Sequence, residues 1–281
     1  MQALQSALIL AERMGSAMAL RLIDTGQEVT VWNRERQRVV PLADAGATLA
    51  DGIVAAVDDA AVIITMVTDG PAVRSVAAEM LPAMRRDAVW LQASTVGAEW
   101  ADRLRELADE RGRAMLDAPV SGSTGPARNG TLTWLVAGPQ GAIDAARPVL
   151  DALGQHVFLV GARQEASRLK LIVNAWMTAA TVAMADALRA SDELGVPRDT
   201  LLEVLSGGPL GMPYALQKAQ LMTTHDYTPG FPIELALKDI RLMEQTEMQT
   251  PPLVRELDRR LTNAADAGHA LDDLAAVAAV D

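Results

Sequence analysis

The sequence predicts an α/β domain followed by an all-α domain, with one long inter-domain helix between them. Up to about Leu159, short apolar runs alternate with amphipathic stretches, which is typical of a doubly wound parallel sheet. After Ser167 no comparable strand pattern occurs. At the junction, Ser167–Leu194 has the pattern of a helix of about 28 residues that is apolar nearly all round, which is typical of a buried helix. We therefore expect an α/β domain at residues 1–162 and a helical domain at residues 163–281.

The individual elements follow from the apolar periodicity. Strands are predicted at residues 7–10, 28–32, 61–67, 88–92, 114–117 and 131–137. Helices are predicted between them at 15–25, 36–45, 71–80 and 98–110. In the second half, helices are predicted at 198–205, 214–222, 233–248 and 251–267, and glycine- and proline-rich segments separate some of them.

Composition excludes several functional classes. The net charge of −11 and the pI near 4.8 argue against a general binder of nucleic acid or acidic membranes. The chain has no cysteine and three scattered histidines, so we predict no metal site. No apolar run is long enough to span a bilayer, and the start lacks the pattern of a signal peptide. We expect a soluble, cytoplasmic protein.

The turn after the first strand lies where a dinucleotide-binding Rossmann fold holds pyrophosphate. The three glycine positions of the G-x-G-x-x-G fingerprint are occupied here by Leu10, Glu12 and Gly15. Glu12 places a carboxylate where an anionic ligand would lie. The local chemistry therefore argues against ordinary pyrophosphate binding at this turn, and leaves open a shifted turn or a lost cofactor site.

The end of the second strand carries a cluster of basic residues. The strand ends at Trp32, and Asn33 and Arg34 follow it, with Arg36 and Arg38 close behind. An arginine at this position favours the 2′-phosphate of NADP over the free ribose hydroxyl of NAD. The alternative is that these arginines form the solvated first turn of a helix.

The long helix carries two polar residues within its apolar surroundings. Lys170 and Asn174 are four residues apart, so they are neighbours on one face of the helix. Apolar surroundings disfavour a charged ammonium group and so favour proton transfer. The alternative is that Lys170 buries its methylene stem and keeps its amine in solvent.

Four blocks, at residues 13–19, 117–133, 170–174 and 237–241, together resemble the β-hydroxyacid dehydrogenase family, which includes 3-hydroxyisobutyrate dehydrogenase and the glyoxylate or succinic semialdehyde reductases. The resemblance implies a Rossmann domain, a helical domain and usually a dimer or tetramer. It also implies reversible hydride transfer between a nicotinamide cofactor and a small 3-hydroxy acid or the matching semialdehyde.

The resemblance also implies roles for particular residues. Lys170 matches the catalytic lysine, and Asn174 matches the residue that places the substrate oxygen. Ser121, with Gly122 and Ser123, matches the loop that binds the substrate carboxylate, and Ser121 is also expected to take part in catalysis. Phe231 is expected to line the substrate pocket. The residues expected near the cofactor are Arg13, Met14, Asn33, Arg34, Met66, Val67, Thr95 and Lys238.

The leading hypothesis is an NADP-preferring oxidoreductase of this family that acts as a homodimer on a small molecule. Its basis is that Arg34, Ser121, Lys170 and Asn174 occur together in the order of the family. One alternative is a relative that has lost cofactor binding and acts as a non-redox enzyme or a binding protein, as Leu10 and Glu12 suggest. A second alternative is an imine reductase, a class of relatives that commonly carries another residue at the position of Lys170.

Overall fold

The computed structural model describes residues 5–10, 12–246 and 248–280, and for residues 5, 7–10, 12 and 13 it describes the backbone alone. The described residues form an α/β Rossmann unit followed by a helical unit, as predicted. Contacts divide the chain into Met1–Lys170 and Leu171–Asp281. The predicted domain limits, 1–162 and 163–281, stay a prediction.

Nine strands form one sheet within the described residues. They are Gln5–Leu10 (β1), Glu28–Trp32 (β2), Thr48–Leu49 (β3), Val62–Met66 (β4), Val89–Gln92 (β5), Ala114–Asp117 (β6), Val120–Ser121 (β7), Leu132–Ala137 (β8) and Gly154–Gly161 (β9). The order is β3-β2-β1-β4-β5-β6-β8-β7, and β9 pairs with β8. Strands β1 to β6 are parallel, whereas β8 runs antiparallel to β6 and β7. The sheet is therefore mixed, and the prediction of a parallel sheet holds for its first six strands.

Helices cover both faces of this sheet. They are Glu12–Asp24 (α1), Val40–Asp44 (α2), Ile53–Val57 (α3), Gly70–Ala83 (α4), Ala98–Glu110 (α5), Thr124–Asn129 (α6) and Gln140–Leu153 (α7). Successive strand residues point to opposite faces. Val62 and Ile64 accordingly pack in one core with α1 and α7, while Ile63 packs in the other with α3, α4 and α5.

Three details of this unit differ from the sequence prediction. Instead of one helix at 36–45, the chain forms a 3₁₀ turn at Arg36–Arg38 and then α2, because Pro41 at the start of α2 has no N–H to continue the earlier turn. Helix α4 starts at Gly70, and the Asp69 side chain caps it by accepting from the Ala72 N–H. The sequence pattern did not predict β3, α3, β7, α6, α7 or β9.

The long helix, Glu165–Glu193 (α8), has 29 residues. Its apolar pattern predicted a buried helix, and within the single chain Ile172 is 56% and Trp176 is 67% exposed. By length and composition this helix could cross a bilayer, which the apolar runs of the sequence did not indicate. Half of its most apolar window is buried in the protein, as is typical of a core helix, so the criterion is weak evidence for a membrane.

The helical unit continues with Arg198–Ser206 (α9), Pro213–Thr224 (α10), Ile233–Glu244 (α11) and Pro252–Ala264 (α12). A π-helical turn at Ala265–His269 and a 3₁₀ segment at Leu274–Ala279 follow. Its core contains a buried ion pair between Lys218 Nζ and Asp273 Oδ1, 2.5 Å apart. The other oxygen, Asp273 Oδ2, accepts from the N–H groups of Gly230 and Phe231, at 3.1 Å each. This pair therefore holds the loop before α11 on the core of the unit.

Candidate functional site

The order of the sheet reverses between β1 and β4, so the carboxyl ends of these two strands are the expected place for a ligand. Ligands of open α/β sheets bind at this switch point. Two loops at its edge are joined, because the Val67 N–H after β4 donates to Ser94 Oγ after β5, at 2.8 Å. Gln92 holds Ser94 in turn, since its Oε1 accepts from the Ser94 N–H at 2.8 Å and its Nε2 donates to the Ser94 carbonyl at 2.9 Å. Met66 is half-buried at the end of β4, and Val67 and Thr95 lie half-buried on these two loops.

The first βα turn is described in part. Helix α1 begins at Glu12, Met14 is half-buried and Gly15 is buried against the sheet. The side chains of Leu10, Glu12 and Arg13 lie outside the described residues. The expectations about pyrophosphate at this turn, and about Arg13, stay predictions.

The basic cluster after β2 separates into paired and unpaired arginines. Asn33 Oδ1 accepts from the Glu35 N–H at 2.7 Å, which shapes the loop. Arg36 pairs with Asp51 at 2.6 Å, and Arg38 pairs with Glu35 at 2.9 Å. Arg34 is exposed and has no ion-pair partner in the part of the chain that the structure describes. An unpaired guanidinium at this edge of the sheet fits a phosphate on the adenosine ribose.

The loop after β6 has a shape that requires glycine. Ser121 ends the short strand β7, which pairs with β8. Gly122 has φ +132°, and a Cβ on it would lie 2.8 Å from Leu132 Cδ2. Ser123 precedes α6 without capping it through its side chain. Within the described residues the hydroxyls of Ser121 and Ser123 make no hydrogen bond, so both are available to a ligand.

Asp117, the last residue of β6, is a buried carboxylate at 1% exposure that the sequence analysis did not single out. Its Oδ2 accepts from the Ser167 N–H at 2.7 Å, and its Oδ1 accepts from the Ser167 hydroxyl at 2.6 Å. Burial raises the pKa of Asp117 to about 6, although the two hydrogen bonds from Ser167 act in the opposite direction. The available sequence signal was its position at the start of the 117–133 block.

Lys170 lies in the second turn of α8 and is 8% exposed. Asn174 lies one turn further along the same helix and is also buried. Its Nδ2 donates to Asp239 Oδ2 at 2.5 Å, whereas its Oδ1 has no partner among the described residues. Asp239 therefore fixes the orientation of the Asn174 amide and leaves its buried oxygen without a partner among the described residues.

Two other predicted residues lie in the helical unit. Lys238 Nζ is 3.2 Å from Asp239 Oδ1, the oxygen that Asn174 does not use. Phe231 is half-buried and packs against the core of the unit, which is compatible with a purely structural role. Asp239 was not predicted from the sequence, although it lies in the 237–241 block directly after Lys238.

Among the residues that the structure describes, no group of three or more histidine or carboxylate side chains is placed to hold a metal ion. The donor set consists of hydroxyls, an amide, one buried amine and one unpaired guanidinium. Such a set suits the recognition of carboxylate, carbonyl and phosphate groups.

Comparison with known proteins agrees with this arrangement. Residues 7–161 match the family model described as the NAD binding domain of 6-phosphogluconate dehydrogenase, and residues 165–280 match that of the NAD-binding of NADP-dependent 3-hydroxyisobutyrate dehydrogenase. Glyoxylate/succinic semialdehyde reductase 1 of Arabidopsis thaliana is 32% identical over 232 residues, which cover 82% of this chain and 80% of that protein. The 3-hydroxyisobutyrate dehydrogenase of Pseudomonas aeruginosa is 31% identical over 239 residues, covering 82% and 80%.

A solved structure shows the same architecture over nearly the whole length. The 3-hydroxyisobutyrate dehydrogenase of Mycobacterium tuberculosis, in a structure with L-serine, superposes with a TM-score of 0.92 at 26% identity and 99% coverage of both chains. The two family models together span the chain from residue 7 to residue 280 apart from three residues between them. The resemblance inferred from the four sequence blocks is thus confirmed, and the chain belongs to the β-hydroxyacid dehydrogenase family of NAD(P)-dependent oxidoreductases.

Proposed function

We propose that the protein is an NADP-preferring oxidoreductase that interconverts a small hydroxy acid and its semialdehyde or keto acid. Similar proteins are named as a glyoxylate and succinic semialdehyde reductase and as a 3-hydroxyisobutyrate dehydrogenase. The observation that carries the proposal is the buried amine of Lys170 one helical turn from Asn174, whose carbonyl is held free of any partner among the described residues. A bound nicotinamide supplies or accepts the hydride.

In this proposal Lys170 is the general acid and base. In the reductive direction its Nζ donates a proton to the carbonyl oxygen of the substrate as the carbonyl carbon is reduced. In the oxidative direction the neutral amine takes the proton of the hydroxyl back. Lysine suits this role because a buried amine changes its protonation state more readily than a guanidinium does.

Asn174 orients the reacting oxygen, and the 121–123 loop holds the substrate carboxylate. The free Oδ1 of Asn174 accepts a hydrogen bond from the substrate hydroxyl or from the Lys170 amine, while Asp239 keeps the amide from rotating. The hydroxyls of Ser121 and Ser123 and the backbone N–H groups near Gly122 bind the carboxylate without a buried cation. Phe231 contributes apolar surface to the substrate pocket.

Cofactor binding is assigned to residues at the strand ends of the first unit and to one lysine of the helical unit. Arg34 binds the 2′-phosphate, because it is the arginine of its cluster without an ion-pair partner in the described chain. The remaining contacts are assigned to Arg13, Met14, Asn33, Met66, Val67, Thr95 and Lys238. No observation on the described residues favours the alternative of a protein without a cofactor.

We also propose that the protein is a cytoplasmic homodimer. Ile172 and Trp176 lie one turn apart on the exposed face of α8, and both are large apolar side chains. Exposed apolar ridges of this kind mark association surfaces. A second copy of the same helix would cover them.

The proposed reaction is tested by turnover of a Lys170→Met variant. Wild type should oxidise NADPH in the presence of glyoxylate or succinic semialdehyde, or reduce NADP⁺ with 3-hydroxyisobutyrate. Loss of the general acid should lower kcat by about 100- to 10,000-fold. Cofactor affinity, measured by tryptophan quenching and calorimetry, should stay unchanged.

The matched control is Arg189→Met, which removes an exposed cation from the same helix and should leave kcat unchanged. A Lys170→Met variant with kcat within ten-fold of wild type would contradict the assigned role. If wild type does not bind NADPH at millimolar concentration, the alternative without a cofactor is favoured instead.

A further inference from the structure

We propose that Asp117 is a positioning residue for the reaction: its buried carboxylate fixes the first turn of α8, and with it Lys170, relative to the loop that carries Ser121. This inference rests on the proposed function of Lys170 and Ser121. Neither the sequence blocks nor the comparisons assign this role to Asp117. Asp117 makes two short hydrogen bonds to α8 from a fixed position in the sheet.

On the side of the sheet, Asp117 is held by its pairing with two neighbouring strands. Asp117 is in register with Gln92 of β5 on one side and with Ala137 of β8 on the other. The next residues are also bonded, since the Ala118 N–H donates to the Gln92 carbonyl at 2.9 Å and the Leu135 N–H donates to the Pro119 carbonyl at 3.0 Å. Ser121 follows Asp117 by four residues through this held segment. The position of the carboxylate and the position of the loop are therefore fixed together.

On the side of α8, the contact uses a backbone N–H group of the first helical turn. The first N–H groups of an α-helix have no intrahelical acceptor, and Ser167 is the third residue of α8. Asp117 accepts from this N–H and from the Ser167 hydroxyl, so both carboxylate oxygens are used. The positive end of the helix dipole also favours a carboxylate here. Local side chains usually cap helices, whereas here a residue distant in sequence supplies the acceptor.

The contact at Ser167 lies close to Lys170 along the helix. Lys170 follows Ser167 by three residues, which is a rise of about 4.5 Å along the axis. A shift of the first turn would displace Lys170 as well, because both lie on one continuous helix. Displacements of about 1 Å in a catalytic group can lower a rate by about 100-fold. We call the two hydrogen bonds between Asp117 and Ser167 the tether. It lies where it controls the position of Lys170.

The same helical turn makes a second contact with the first unit, an ion pair that is much more exposed than the Asp117 contact. Arg168 pairs with Asp102 of α5 at 2.7 Å, but both side chains are nearly half exposed. Exposed ion pairs of this kind contribute little and are screened by salt. The Asp117 contact is shielded from water, so its two hydrogen bonds hold a single geometry.

The tether also depends on pH. Burial raises the pKa of Asp117 to about 6, and the charged groups that face it are Arg168, which lowers this pKa, and Glu165, which raises it. Near pH 7.5 the ionised carboxylate accepts both bonds. Protonation places a hydrogen on one oxygen and removes one of the two acceptors. We expect kcat to fall on the acid side, near pH 6.

The test compares Asp117→Asn with wild type, together with Ser167→Ala and the control Asp102→Asn. Asp117→Asn keeps the size of the side chain and one acceptor, and should lower kcat by about 10- to 100-fold at pH 7.5. The KM for NADPH should stay unchanged and the acid limb of the pH profile should disappear. Ser167→Ala should give a smaller loss, and the double variant should be no worse than Asp117→Asn alone. Asp102→Asn should stay within two-fold of wild type.

Hydrogen exchange followed by mass spectrometry provides a readout that needs no turnover. In Asp117→Asn, a peptide covering residues 163–171 should exchange faster, while peptides of the sheet core should not change. Unaltered exchange in this peptide, or a kcat within two-fold of wild type with the acid limb retained, overturns the proposal. Faster exchange in the variant of a protein that shows no turnover would keep the tether and contradict the proposed function instead.

Discussion

The chain uses lysine sparingly, and where it does the amine is at least partly buried. Lys170, Lys218 and Lys238 are its only lysines, against 25 lysines and arginines together. Arginine stays charged in every surrounding, whereas lysine can lose its proton when buried. Lys218 is committed to an ion pair with Asp273, and Lys238 lies beside Asp239. The three lysines thus lie at buried or half-buried positions rather than as solvated surface charges.

The first residue-scale prediction concerns cofactor choice. Arg34→Ala should weaken the binding of NADPH by about 10- to 100-fold, because a charge-assisted hydrogen bond contributes about 1.5–3 kcal/mol. The binding of NADH, which has no 2′-phosphate, should change little. Calorimetric titration with both cofactors measures the two affinities.

Arg38→Ala is the matched control for this experiment. It removes a cation from the same cluster, but one that already pairs with Glu35. Equal losses of NADPH affinity in the two variants would show that the cluster acts as diffuse charge. The specific role of Arg34 would then be wrong.

A second residue-scale prediction concerns the dependence of stability on pH. The pKa of Asp117 is raised from 3.8 to about 6 by burial, so the folded state holds this proton more tightly than the unfolded state does. The resulting stabilisation is complete below about pH 4 and is lost as the pH rises through about 6. This shift in the pKa of Asp117 corresponds to a change of about 3 kcal/mol in the free energy of unfolding.

Asp117→Asn removes this titration, so the free energy of unfolding of the variant relative to wild type should rise between pH 4 and pH 7 by up to about 3 kcal/mol. Urea unfolding at several pH values measures it, and contributions from other carboxylates cancel in the comparison. Parallel curves for the two proteins would contradict the raised pKa.

At the scale of elements, local patterns predicted most of the helices and strands. Helix α5 occupies Ala98–Glu110, the predicted residues, and β2 and β6 also match. Helix α7 was missed because Gly141 and Pro148 interrupt its pattern, although burial of one face stabilises it. The two-residue strand β7 exists through pairing with β8, and no local sequence signal predicts such a pairing.

For the candidate site, the sequence predicted the residues of recognisable motifs but not the residues that contact them. Residues that would touch a ligand, such as Lys170 and Ser121, stand out because their type and spacing match a motif. Asp117 and Asp239 contact Ser167 and Asn174, and neither partner lies near them in sequence. Only the folded chain brings these pairs together, so the sequence pattern could not reveal their roles.

At the scale of the whole molecule, the exposed face of α8 predicts self-association. Trp176→Glu places a charge on the apolar ridge and should convert the proposed dimer to a monomer at micromolar concentration. The cause is the desolvation of an unpaired carboxylate in the interface. Sedimentation velocity distinguishes the two states.

The control for this experiment is Val54→Glu, which adds the same charge to an exposed apolar position on α3. It should leave the sedimentation coefficient unchanged. A monomeric wild-type protein would contradict the proposed dimer, as would a Trp176→Glu variant that sediments like wild type.

The bond between Asp117 and Ser167 has a consequence for protein engineering. The two family models meet between residues 161 and 165, which is where a chimera of two relatives would naturally be joined. Such a junction takes Asp117 from one parent and Ser167 from the other, and so recombines the two halves of a hydrogen-bonded pair. Placing the crossover after Lys170 instead inherits the pair from a single parent. Chimeras with the later crossover should retain more activity than those with the earlier one.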